Sequence, residues 1–126
     1  AFGDPRAESP GESRSRVLIA QLDLPMPTLQ REFRNGDDEV DARVDFDWEE
    51  FGVCGEFDGE VKYGRLLKPG QSVEKVIGFE KQREELLRTH GRWTIRWTNK
   101  NLRDLVYFRR IIESGFTNGP KGHWPR

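Results

Sequence analysis

Two short stretches of alternating apolar and acidic residues constrain this chain more than any other feature. They are Val44-Asp45-Phe46 and, a few residues on, Gly55-Glu56-Phe57-Asp58-Gly59. A strand turns successive side chains to opposite faces. Val44, Phe46 and Trp48 are therefore expected to point into a core, with Asp45 and Asp47 on the other side. On the second strand Val53 and Phe57 should face one way, Glu56 and Asp58 the other. Paired as a hairpin, the two strands would gather carboxylates into one patch. Carboxylates at that range repel, and a hard divalent cation such as Mg²⁺ or Mn²⁺ relieves the repulsion. The pattern points to Asp45, Glu56 and Asp58 as metal ligands and to metal-assisted phosphodiester chemistry; the plainer alternative is an exposed acidic face.

Charge is distributed to match. The formal net charge of the 126 residues is only −1, yet residues 37–60 hold eleven acids and one base, a net of −10. Residues 61–126 hold fifteen bases and six acids, a net of +9. An acidic centre beside a basic half suits metal ions held next to a phosphate backbone, so DNA is the expected partner. The length fits one domain. The single cysteine, Cys54, rules out an intrachain disulfide and fits a reducing, cytoplasmic setting, with Cys54 itself a small packing residue. No apolar run is long enough for a membrane span.

Local signals order the rest. Residues 1–8 read as a linker, 9–114 as the domain and 115–126 as a loose tail. Ser9-Pro10-Gly11-Glu12 is a helix start with a capping box. That helix runs to about Leu22, and Pro25 and Pro27 impose an extended connector. Strands are expected over residues 29–33, 40–48 and 53–58, then a basic loop, a helix from Ser72 to Gly91, a strand through Trp93, Ile95 and Trp97, and a final helix over 101–112. Three consecutive strands form a meander, and a fourth joins through a helical crossover. The fold class is α/β, a mixed four-stranded sheet flanked by helices.

Several residues have competing roles. Lys62 could orient an attacking water or could be an ordinary surface lysine. Glu12 completes a capping box and could also reach a metal from the helix end. Glu80 and Arg83 interrupt the apolar stripe of the long helix, so they either pair with each other or lie against the carboxylate patch, where Arg83 or Lys81 would contact phosphate. Trp97 is expected in the core.

Taken together, Val44-Asp45-Phe46, Gly55-Glu56-Phe57-Asp58-Gly59, Glu80-Lys81-Gln82-Arg83-Glu84 and Arg92-Trp93-Thr94-Ile95-Arg96-Trp97 resemble nuclease-like domains of the PD-(D/E)XK superfamily. The chain is most similar to the branch related to very-short-patch-repair endonucleases. Domains of this kind also lie C-terminally in actinobacterial proteins of the abortive-infection antitoxin type. The resemblance covers about residues 8–105. It implies a restriction-endonuclease-like fold, a Mg²⁺- or Mn²⁺-dependent DNA endonuclease and a cytoplasmic role in phage defence. It also implies a further N-terminal domain in a longer protein, and it is compatible with a homodimer. Asp45 and Glu56 match the family's paired acids, and Glu12 matches an acid that some members supply from the first helix. Asp58 stands where the motif usually has lysine, with Lys62 as a displaced substitute. Lys68, Lys81 and Arg83 would hold DNA. The rival expectation is a catalytically inactive DNA-binding or regulatory module of a toxin–antitoxin or phage-defence protein.

Overall fold

A computed structural model describes residues 8–59, 70, 72–122 and 124–125. Helix α1 (Pro10–Gln21) leads into strands β1 (Thr28–Arg34), β2 (Val40–Trp48) and β3 (Val53–Phe57), with a 3₁₀ turn at Glu49–Phe51 between the last two. Helix α2 (Val73–Thr89) crosses to β4 (Trp93–Trp97), and α3 (Asn99–Leu102) and α4 (Leu105–Asn118) follow. The sheet order is β1-β2-β3-β4. The first three strands are antiparallel neighbours and β4 runs parallel to β3, as a helical crossover requires. An α/β fold with a mixed four-stranded sheet is thus what the strand pattern anticipated.

Capping residues set the helix starts. Ser9 Oγ accepts from the Glu12 N–H while Glu12 Oε1 accepts from the Ser9 N–H, a complete capping box. Ser72 caps α2 through the Lys75 N–H. The expected single helix over 101–112 is instead two. Asp104 is a second N-cap, its carboxylate accepting from the Tyr107 N–H, so the chain turns and restarts there. Helix α4 then continues to Asn118, into the stretch expected to be loose. Trp124 beyond it folds back onto Phe51 and Phe116 and donates Nε1–H to Glu113 at 2.8 Å. At the other end Glu8, placed in the linker, pairs with Arg16 at 3.0 Å and accepts from Ser13.

The main core lies between one sheet face and helices α1 and α4. Phe46, Trp48, Phe51, Val53, Ile95 and Trp97 meet Ile19, Phe108, Ile112 and Phe116 there, all buried. Trp97 is a core residue, as expected, and its Nε1–H donates to Ser15 Oγ at 2.8 Å. A smaller cluster of Phe33, Ala42, Val44, Cys54 and Leu87 fills the α2 side. Cys54 is the fully buried packing residue its alternation suggested.

Strict alternation fails at one point, and that point matters. Val44 belongs to the cluster under α2 while Phe46 and Trp48 belong to the main core. The sides of β2 therefore exchange across Asp45. Opposite it in β1, Gln30 has φ +52°, a left-handed value uncommon for a residue with a side chain. The register stays in step on either side, Leu29 with Phe46 and Arg31 with Val44, so the two strands kink together. Asp45 sits at the kink.

Candidate active-site cleft

Asp45 lies where β2 and β3 part. Ladder pairing runs from Trp48↔Val53 to Phe46↔Gly55, and beyond it the Asp45 carboxylate accepts the Phe57 N–H at 3.1 Å. A side chain thus replaces a main-chain acceptor at the open end of the hairpin. Glu12 approaches from α1 and shares a hydrogen bond with Asp45. Gly11 eases this approach: a Cβ there would lie 2.0 Å from the Phe57 ring, which would have to move to admit it. Gly55 similarly admits Trp97, whose ring would be 2.6 Å from an added Cβ.

Glu12, Asp45, Glu56, Phe57, Asp58, Glu80, Arg83 and Arg96 line one cleft of ≈ 340 Å³. Four of the carboxylates that the sequence singled out, Glu12, Asp45, Glu56 and Asp58, are therefore brought together. Glu80 and Arg83 also line this cleft, and Arg83 contacts Glu56 there. Lys81 is exposed on α2 and does not line it. Lys62 and Lys68 lie outside the described residues.

The cleft's electrostatics divide the acids into two neutralised groups. Burial, reinforced by the hydrogen bond and charge of Glu12, pushes the Asp45 carboxyl up to about 7. Burial works the same way on Glu12, but hydrogen bonds from Asp45 and Ser9 outweigh it and hold Glu12 below its ordinary value. One proton shared between the two accounts for both directions. Glu56 is neutralised differently. The Arg83 guanidinium contacts its Oε1, and Arg96 Nε lies 3.9 Å from its Oε2. That Oε1 is closed to solvent yet accepts no well-formed hydrogen bond. Arg83 also donates to the Arg43 carbonyl, tying α2 to β2, and Arg96 is held by Glu84 at 2.5 Å. Among the described residues no group of three or more His, Cys, Asp or Glu side chains is placed to hold a metal ion as the cleft stands.

Asp47 departs from the acidic face expected for it. It is buried, with Arg92 at 2.6 and 3.1 Å and Arg31 at 3.0 Å. Both guanidinium groups also lie over the Phe33 ring, at 5.0 and 5.2 Å. This is a structural ion cluster outside the cleft. Arg96, which sequence reasoning did not select, is the site residue that was missed. Its place opposite Glu56 in the β3–β4 register was readable once those strands were known to be parallel.

No protein-family model, curated protein or solved structure matches this chain.

Proposed function

We propose that this chain is a divalent-metal-dependent DNA endonuclease domain of the PD-(D/E)XK type, hydrolysing phosphodiester bonds. The observation that carries the reading is the cleft itself. Four carboxylates from α1, β2, β3 and the residue after β3 meet where the protein must neutralise them with a shared proton and an arginine. Hard oxygen donors of this kind suit Mg²⁺ or Mn²⁺. Asp45 and Glu56 would hold the cation, with Glu12 and Asp58 beside them. When bound it supplies Lewis-acid polarisation of the phosphate and a more acidic water.

The chain's own groups account for the remaining chemistry. The open end of the hairpin leaves the Asp45 carboxylate fixed by the Phe57 N–H, so its position is set before ligand arrives. Glu12, fastened by its capping box, holds or releases the proton shared with Asp45. Arg83 and Arg96 present guanidinium groups on the cleft wall to a backbone phosphate. Lys68 and Lys81 belong to the basic half that would hold the DNA backbone, and Lys62 would assist the nucleophile.

One observation favours the rival, a silent DNA-binding or regulatory module: Arg83 already neutralises Glu56, and Asp58 occupies the position where lysine is usual. A single experiment separates the two. Purified protein is incubated with supercoiled plasmid in Mg²⁺, in Mn²⁺ and in EDTA, beside Glu56→Gln. Metal-dependent nicking that disappears in the variant is expected. DNA binding without nicking under either metal would establish the silent module, and nicking undiminished in Glu56→Gln would remove the cleft from consideration.

A further inference from the structure

Arg83 is placed to do more than bind. It projects from α2 into the cleft and contacts both Glu56 and the Arg43 carbonyl. The Glu56 side chain is only 17% exposed, so its charge must be answered by something at all times. Arg96 cannot take over that task alone, since it lies 3.9 Å away and is anchored to Glu84. The partner able to exchange is Arg83: it touches Glu56 directly, but its other anchor is a neutral carbonyl, whereas Arg96 is tied to a second carboxylate. A third of the Arg83 side chain is open to solvent, so a phosphate can reach it.

We propose that Arg83 is an exchangeable counter-ion: it holds Glu56 in the ligand-free protein, and a DNA backbone phosphate draws it away and frees Glu56 for a divalent cation. This rests on the nuclease reading of the same cleft and adds its regulation. A guanidinium and a dication cannot both crowd one carboxylate without like-charge repulsion. Metal alone therefore competes with Arg83 and binds weakly. A phosphate offers the planar guanidinium a bidentate partner of opposite charge, so the exchange leaves every charge paired. DNA and metal then bind with positive coupling, and by linkage each raises the affinity of the other equally. The protein would load its cation only where a phosphodiester is present.

The test measures Mn²⁺ affinity calorimetrically, with and without a saturating 20-bp duplex (roughly two turns, enough to span the domain) bearing phosphorothioate linkages to suppress cleavage. Glu56→Gln, treated identically, gives the Mn²⁺ held by DNA itself. In wild type the duplex should tighten the Glu56-dependent site on the order of tenfold. Arg83→Gln, which keeps a donor for the Arg43 carbonyl but no charge, should bind Mn²⁺ tighter by a similar factor without DNA and lose the coupling. Arg83→Lys keeps the charge and should retain wild-type weakness. Wild-type affinity indifferent to the duplex, or Arg83→Gln no tighter than wild type, overturns the exchange. If wild type and Glu56→Gln bind Mn²⁺ alike, the metal site fails and the exchange with it. A Glu56-dependent site that ignores Arg83 overturns the exchange alone. Should Arg83→Gln fail to fold, the wild-type comparison with and without duplex still decides.

Discussion

Replacing Asp45 with asparagine removes the carboxyl whose environment is least comfortable while keeping its shape. In the fold this group titrates near 7, against an ordinary value of 3.8. The folded state therefore holds a proton that the unfolded chain releases. A raised pKa contributes stability that is complete below about pH 4 and is lost as pH rises through 7. Fully shielded, a displacement of that size amounts to about 4 kcal/mol at pH 8. Asp45 is partly open to water, and the opposite displacement of Glu12 offsets some of the effect, so ~1–2 kcal/mol is expected. Asparagine imitates the protonated form at every pH: Oδ1 can accept from the Phe57 N–H and Nδ2 can donate to Glu12. In EDTA, Asp45→Asn should match wild type at pH 4 and exceed it at pH 8 by ~1–2 kcal/mol, or about 3–10 °C in Tm. Urea unfolding followed by circular dichroism at pH 4, 6 and 8 measures the difference directly, because other carboxylates cancel between the two proteins. A variant that is less stable by a constant amount at all three pH values would refute the shared-proton account.

Further outcomes follow from other parts of the structure. Glu12→Gln keeps the capping acceptor and gives Asp45 a donor, so it should leave metal-free stability at pH 4 near wild type and raise it at pH 8; in the nuclease assay cleavage should fall by orders of magnitude, and full activity at low Mg²⁺ would return Glu12 to a purely structural role. Asp47→Asn strips the counter-charge from buried Arg92 and should cost about 3–5 kcal/mol in chemical denaturation, which a loss below ~1 kcal/mol would contradict. Gly55→Ala drives a methyl against Trp97 and Trp48 and should cost about 1–3 kcal/mol by the same assay. DNA affinity should fall steeply between 50 and 200 mM salt (roughly tenfold or more), with charge reversal at Arg83 weakening all sequences alike; tight binding that ignores salt would contradict a backbone-reading surface.

What the sequence determined alone is what short-range physics controls. The capping box at Ser9–Glu12, the Ser72 cap and the 40–48 and 93–97 strands each depend on neighbours a few residues apart, and each stands where its local signal put it. The meander and crossover follow from strand spacing, and so does the meeting of Asp45, Glu56 and Asp58. Tertiary structure decided the rest, because it depends on partners distant in the chain. Alternation alone would put Asp47 on an acidic face; Arg92, on another strand, converts it into a buried ion pair. Alternation also assigns Val44 and Phe46 to one side, and the kink shared by Gln30 and Asp45 separates them. No local pattern reveals that Trp124 closes over Phe51 and Phe116, since its burial needs three elements already assembled. The charge state of the cleft is likewise a property of the fold. A carboxylate three residues into a helix and another on a strand share a proton, and a third is answered by an arginine from α2, because packing brings them together where water only partly solvates them.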